Sequence, residues 1–109
     1  MTQSGRSGTL SYPIGPSYGL GCEFLVTVPN GTIQIRFTSF NFSYSDGDFL
    51  EIYNGGVADE LRLIGHYTWK KKPPKLIESD CNQVYIKYNR SSPSSYPSFN
   101  CTYQQKGIV

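Results

Sequence analysis

The sequence predicts an all-β protein, an antiparallel β-sandwich in which two sheets pack face to face. Apolar residues alternate with polar ones at a period of two in many short segments, as they do in half-buried strands. Eleven glycines and seven prolines supply turns between these segments, and aromatic residues, which favour strands, make up 15% of the chain. No segment has helical spacing beyond a turn or two.

Eight segments carry the strand signal, and turn residues separate them. They span residues 9–13, 22–28, 32–37, 48–53, 61–67, 74–79, 83–88 and 98–103. In the second segment Phe24, Val26 and Val28 share one face with Cys22. In the fourth, Leu50 and Ile52 point one way and Glu51 and Tyr53 the other, while Val84, Ile86 and Tyr88 are in phase in the seventh.

The turn Pro29-Asn30-Gly31 predicts a hairpin between the second and third strands, because Asn and Gly tolerate positive φ. Residues 91–98 are rich in serine and predict a polar loop before the last strand. We expect residues 1–7 to be a linker or a vector-derived segment and residues 8–105 to form one domain.

Charge and composition limit the classes of partner. The formal net charge of +2 gives no strong field toward nucleic acid, and no apolar run reaches the roughly 20 residues of a membrane span. Four N-x-S/T triplets predict a secreted or cell-surface glycoprotein, with Asn30, Asn41 and Asn89 as the glycosylation sites. The fourth triplet, at Asn100, is the poorest candidate because it adjoins Cys101 in a predicted strand.

Few residues favour catalysis or cofactor binding. His66 is the only histidine and lies at the end of a predicted strand. A Ser or Cys nucleophile would need it as a base, and the sequence does not indicate that it is positioned as one. We therefore expect no enzyme and no cofactor. Lys70, Lys71, Lys72 and Lys75 are the one concentration of charge; this run is either a solvated loop tip or a site for an anionic glycan or acidic partner. Tyr44 is a candidate anchor for a protein partner.

Taken in order, the motifs resemble those of the CUB domain, a two-sheet extracellular module. The sequence D-F-L-E-I-Y-N-G at residues 48–55 is similar to the family's D-x-L-x-I-Y-D-G signature. The other matches are G-T-L-S-Y-P at 8–13, C-E-F-L-V to P-N-G at 22–31, I-R-F with F-N-F at 35–42, L-I-G-H-Y at 63–67 with P-P at 73–74, and the strands around 84–88 and 99–103. The resemblance covers residues 8–103 and implies a CUB-like jelly roll.

The same resemblance implies a calcium-independent function. Many family members bind calcium through three carboxylates, and the matching positions here are Ser43, Asp48 and Ser91. Calcium requires six to eight oxygen ligands, so Asp48 with a neighbouring Asp46 makes only a weak site. The resemblance implies a non-catalytic protein–protein interaction module from a larger secreted or cell-surface protein, working in adhesion, as a receptor or beside a protease. The alternative is a glycan-binding module that acts through the lysine run.

The cysteines depart from the family pattern. Cys22 resembles the family's second cysteine, whose partner would lie upstream, so it is unpaired here or paired outside this chain. Cys81 and Cys101 are additional, and no C-x-x-C motif supports zinc. If the last two strands are antiparallel neighbours, Cys81 and Cys101 lie close enough for a disulfide, which is our expectation. Cys22–Cys101 is the other pairing that the sequence allows.

Overall fold

A computed structural model shows a sandwich of two β-sheets. The structure describes residues 2–12, 21–41, 49–68, 70–89 and 98–106. Its strands are β1 (Thr2–Ser4), β2 (Ser7–Tyr12), β3 (Gly21–Thr27), β4 (Thr32–Asn41), β5 (Phe49–Asn54), β6 (Leu63–Tyr67), β7 (Leu76–Glu78), β8 (Gln83–Asn89) and β9 (Ser98–Lys106). All eight predicted strands are present, and the predicted fold class is confirmed.

One sheet has five strands in the order β1-β3-β8-β5-β6, and the other has four in the order β2-β9-β4-β7. All neighbouring strands are antiparallel except β1, which pairs parallel to β3 with Thr2 opposite Leu25. Thr2–Ser4, within the segment expected to be a linker, lie at the edge of a sheet. β2 begins at Ser7 and β9 ends at Lys106.

The core lies between the sheets and is built by the alternation that the sequence shows. Phe24, Val26, Val84, Ile86 and Tyr88 are buried on the inner face of the five-stranded sheet, as predicted. Phe99 of the opposite sheet contacts this layer, with its ring centroid 6.2 Å from that of Phe24 and 5.8 Å from that of Tyr88. Aromatic side chains from both sheets thus close the centre of the sandwich.

The turn at residues 29–31 is not a hairpin, which corrects the sequence-based expectation. Gly31 does adopt the positive φ of 76° that the Asn-Gly pair predicts. However, β3 pairs with β8 and β4 pairs with β9 and β7, so the turn carries the chain from one sheet to the other. Alternation predicts which side chains point inward, but it does not predict which strands are neighbours.

Within the described ranges, no helix is long and apolar enough to cross a membrane. The one helical segment there is a single 3₁₀ turn, Glu60–Arg62, between β5 and β6.

Candidate functional site

The lysine loop, residues 68–75, connects β6 to β7 and carries the predicted basic residues. Lys70, Lys71, Lys72 and Lys75 are all exposed. Thr68 and Lys71 exchange two main-chain hydrogen bonds of 3.0 and 3.1 Å, and the Thr68 hydroxyl accepts a further one from the Lys70 amide. The Phe37 amide donates to the Lys75 carbonyl over 3.0 Å, which fixes the loop to β4. Four ammonium groups are thus presented to solvent on a hydrogen-bonded backbone.

The other predicted binding and metal residues lie outside the described residues. They are Tyr44, Asp46 and Asp48, together with Ser43 and Ser91 at the positions where the resemblance places calcium ligands. Within the described ranges, no group of three or more His, Cys, Asp and Glu side chains is arranged to hold a metal ion.

The three predicted glycosylation sites occupy different settings. Asn30 is exposed in the turn before β4, and its side-chain oxygen accepts a hydrogen bond from the Gln105 side-chain amide. Asn41 is the last residue of β4, and Asn89 ends the central strand β8, with Gly21 on one side and Phe49 on the other. Of the three, Asn30 lies in a turn rather than a strand.

The expected disulfide between Cys81 and Cys101 is not formed, and both residues are free thiols. The premise of the expectation is wrong because β8 and β9 belong to different sheets. Cys81 lies just before β8 and its thiol donates to the Gln83 carbonyl over 3.2 Å. Cys101 is fully buried between the sheets, and burial raises the pKa of its thiol to about 12. The alternative bridge from Cys101 to Cys22 is not formed in this structure either, because Cys101 is a free thiol.

The most exposed apolar side chains in the described part of the chain lie in the segment between β5 and β6, residues 55–62, which we call the Leu61 loop. Leu61 is 95% exposed and Val57 is 67% exposed, and Leu63 at the start of β6 adds a further 40%. Such large apolar side chains on one loop are typical of protein interaction sites. The sequence-based interpretation missed this site because Leu61 and Leu63 alternate like residues of a strand.

The Leu61 loop is held rigidly by polar contacts at its base. The Asp59 carboxylate accepts from the Leu61 amide over 3.0 Å and caps the 3₁₀ turn. Arg62 donates from Nε to the Asn54 carbonyl over 3.2 Å and pairs with the Asp80 carboxylate at 3.0 Å. The Asn54 side chain in turn accepts from the Asp80 amide over 2.9 Å. The loop is therefore ordered in advance, so binding would cost little conformational entropy.

The outer face of the five-stranded sheet carries a polar network around Glu51. The Tyr53 hydroxyl donates to one carboxylate oxygen over 2.8 Å, and His66 Nδ1 lies 2.9 Å from the other. The His66 ring also stacks on Phe49, with centroids 5.1 Å apart. Tyr85 lies directly opposite Tyr53 in the register, and their rings are 6.0 Å apart.

The network shifts the acidity of its members. Burial acts to raise the pKa of Glu51, but contacts with His66 and Tyr53 outweigh it and hold the pKa of that carboxyl below its ordinary value of 4.5. Burial, followed by the hydrogen bond to Glu51, raises the pKa of Tyr53 to about 12. In the part of the chain that the structure describes, His66 has no hydroxyl or thiol as a hydrogen-bond partner. The arrangement stabilises a carboxylate and does not assemble a nucleophile.

Comparison with known proteins agrees with this geometry. A family model described as the CUB domain matches residues 1–103. The dorsal-ventral patterning protein tolloid of Drosophila melanogaster is 35% identical over 92 residues, covering 81% of this chain and 8% of tolloid. Exoskeleton protein RP43 of Riftia pachyptila is 31% identical over 97 residues, covering 83% of this chain and 23% of that protein. The chain thus spans less than a quarter of the length of these relatives.

Solved structures share the fold. The full extracellular region of zebrafish Gpr126/Adgrg6 superposes with a TM-score of 0.75 at 17% identity, covering 99% of this chain and 15% of that one. The CUB1-EGF-CUB2 domains of rat MASP-1 superpose with a TM-score of 0.73 at 15% identity, covering 100% of this chain and 43% of that one.

Proposed function

Because this chain belongs to the CUB domain family, we propose that it is a non-catalytic, calcium-independent module that binds another extracellular protein. The observation that carries the proposal is the Leu61 loop, on which Leu61 is 95% exposed while hydrogen bonds of Asp59, Arg62 and Asn54 hold the base of the loop. In the free domain the exposed leucine lacks the stabilisation of about 2 kcal/mol that burial of its side chain would give. A partner that covers the side chain gains this free energy on binding.

The charges around the loop indicate the chemistry of the partner. Asp59 and Glu60 flank the apolar residues, whereas the charge of Arg62 is balanced by Asp80. The loop therefore presents apolar side chains within an acidic rim. It fits a protein surface with an apolar pocket bordered by lysine or arginine.

Calcium independence is supported by the ligand positions in the sequence. Of the three carboxylates that the family resemblance calls for, two are replaced by Ser43 and Ser91. Affinity for calcium rises with the number of charged ligands, so Asp48 and Asp46 alone leave the site weak. The contacts described above at the base of the Leu61 loop are all made by protein groups, so the loop needs no metal to hold its conformation.

Binding in the presence of a chelator tests this function. The chain is immobilised, extracellular proteins from the source organism are passed over it in EDTA, and each retained protein is purified and titrated. We expect binding in EDTA and at least tenfold weaker binding for Leu61→Ser, as is usual for an anchor residue. Leu76→Ser, which changes another exposed leucine on β7, is the matched control. Binding that requires calcium, or equal affinities for the two variants, would contradict the proposal.

A second function, binding of an acidic glycan, is favoured by the lysine loop. It follows β6, whereas the Leu61 loop precedes the same strand, so the two loops lie at opposite ends of the sandwich. Clustered ammonium groups attract polyanions in a manner that salt screens. Retention on heparin that falls when Lys70, Lys71 and Lys72 are changed to alanine supports this function, and unchanged retention removes it.

The extracellular setting also implies glycosylation, for which Asn30 is the best acceptor. Its exposed turn leaves the side-chain nitrogen available, while the contact with Gln105 uses the oxygen. Secretion from eukaryotic cells should yield a protein whose mass falls on treatment with N-glycosidase. Asn30→Gln should remove that shift at this site, and an unchanged shift would exclude Asn30.

A further inference from the structure

The outer face of the four-stranded sheet contains a polar depression that neither the family resemblance nor the sequence motifs single out. It has a volume of about 70 Å³ and lies over β4, between the neighbouring strands β9 and β7. Its lining residues are Gln34, Arg36, Leu76, Thr102, Tyr103 and Gln104. The ring of Tyr103 is buried in the core, so this residue contributes to the floor, and the other five form the walls.

The register of the strands brings the residues that form the walls next to one another. Arg36 of β4 stands opposite Thr102 of β9 on one side and Leu76 of β7 on the other. Gln34, two residues earlier, stands opposite Gln104. The Arg36 guanidinium, the Gln104 amide and the Thr102 hydroxyl therefore converge on one volume and can donate hydrogen bonds to it, while the Gln34 side chain is hydrogen-bonded to the Glu78 carboxylate opposite it on β7.

Arg36 is the charge in this depression that no neighbour balances. Among the residues that the structure describes, no carboxylate forms an ion pair with Arg36. The nearby Glu78 carboxylate is instead held by Lys106 at 3.0 Å and hydrogen-bonded to the Gln34 side chain, and both contacts lower the pKa of Glu78. A planar guanidinium beside neutral donors is well suited to an oxyanion, which it binds through two parallel hydrogen bonds. The volume exceeds that of a single water molecule and has room for such a group.

The depression is continuous with the lysine loop. Lys75 directly precedes Leu76, and its carbonyl accepts from Phe37, the residue after Arg36. Positive charge therefore runs from the loop along the β4–β7 edge to Arg36. Leu76, which is 36% exposed, adds a hydrocarbon wall suited to the face of a sugar ring.

We propose that the Arg36 depression is a binding subsite for one oxyanion, a sulfate ester or a uronate carboxylate, of an acidic glycan whose chain continues over the lysine loop. This proposal rests on the second function above and assigns it a specific site on the sheet. The neutral amide and hydroxyl groups around Arg36 favour a glycan, which offers hydroxyl groups to them, over an acidic protein segment.

Affinity measurements with defined polyanions test the subsite. The variants are Arg36→Gln, Arg36→Lys and, as the control for loss of one charge, Lys87→Gln on the outer face of the other sheet. We expect heparin to bind Arg36→Gln about tenfold more weakly than the wild type and Lys87→Gln less than about twofold more weakly. Arg36→Lys should fall between them, because it keeps the charge without the two-pronged geometry. Circular dichroism verifies that each variant is folded.

The outcomes separate the subsite from the function on which it rests. If the wild type does not bind heparin, both fail. If the variant with three lysines changed loses affinity while Arg36→Gln matches Lys87→Gln, glycan binding stands and the subsite is overturned. An Arg36 effect that disappears with desulfated heparin identifies a sulfate, and one that persists identifies a carboxylate. If Arg36→Gln weakens the binding of polyglutamate as much as it weakens the binding of heparin, the assignment to a glycan is overturned.

Discussion

Individual residues in this sandwich are constrained by aromatic rings that lie across glycines. Tyr67 packs over Gly65 two residues earlier on β6, and Tyr103 packs over its cross-strand partner Gly8. A Cβ at Gly8 would lie 2.6 Å from Tyr103 Cε1. Both rings are at least nine-tenths buried. These two positions therefore require glycine, because the absence of a side chain lets a tyrosine ring cover the strand.

Gly65→Ala should lower the free energy of unfolding by about 1–3 kcal/mol, because the new methyl group overlaps the Tyr67 ring. Urea denaturation measures this cost. In a Tyr67→Ser background, where the ring is absent, the same substitution should cost little. Equal costs in the two backgrounds would show that the ring is not the cause.

The Glu51 network predicts a specific pH dependence of stability. The folded state holds the pKa of Glu51 below its ordinary value of 4.5, so the unfolded state binds a proton first as the pH falls. The stabilisation is complete above that value and is lost as the pH falls through the folded pKa. Replacing Glu51 by Gln should cost about 1 kcal/mol at neutral pH, where a charge-assisted contact is lost, and less at pH 3.

Denaturation of the wild type and Glu51→Gln across this pH range measures the difference. Glu78→Gln serves as a comparison, because Glu78 also has a lowered pKa but lies exposed beside Lys106. A Glu51→Gln difference that is constant from pH 7 to pH 3 would contradict the account of the network.

At the scale of elements, the sequence predicts the strands but not their partners. Alternation records which side chains enter the core, and it located all eight predicted strands along with the inward faces of β3, β5 and β8. It carries no information about which strand lies alongside which. For this reason the hairpin at Asn30 and the disulfide between Cys81 and Cys101 were both predicted wrongly. Each of these two predictions assumed that the strands involved lie in one sheet. In the structure β3 and β4 lie in different sheets, and so do β8 and β9.

Cys81 and Cys101, which are free thiols in the described part of the chain, should react at very different rates. Cys81 is partly exposed, whereas Cys101 is fully buried and its pKa is raised to about 12, so it is neither accessible nor ionised. Alkylation of the native protein followed by peptide mass spectrometry should label Cys81 first and Cys101 only on unfolding. Equal labelling of the native protein would contradict the burial of Cys101, and a peptide crosslinked between the two cysteines would contradict their assignment as free thiols.

The Leu61 loop was missed for a related reason. Leu61 and Leu63 alternate as strand residues do, but the backbone at Leu61 is in the 3₁₀ turn that Asp59 caps. An aspartate that precedes Glu60 and Leu61 is a capping signal visible in the sequence, and it marks the end of the loop rather than a strand. Exposure is a property of the assembled sandwich, so the spacing of residues could not reveal it.

Leu61→Ser should leave the free energy of unfolding within about 0.5 kcal/mol of the wild type, since the side chain packs against almost nothing. Leu50→Ser, a change of a fully buried leucine on β5, should cost several kcal/mol by contrast. Thermal denaturation distinguishes the two. A large loss for Leu61→Ser would show that the loop serves the fold and not a partner.

The whole molecule separates its surfaces by chemistry. An apolar loop with an acidic rim lies where β5 ends, a basic loop lies where β6 ends, and the Arg36 depression continues from the basic loop onto one sheet. Opposite ends of one strand thus present surfaces suited to different partners. If both proposed functions hold, this separation lets a protein and a glycan bind at the same time.

Amide hydrogen exchange of the chain with its captured protein partner, measured in EDTA, shows whether the Leu61 loop is the surface that the partner covers. We expect exchange to slow at residues 57–63 when the partner is bound, and to do so without calcium. Protection that appears only with calcium, at residues 42–48 and 90–97 instead, would contradict it.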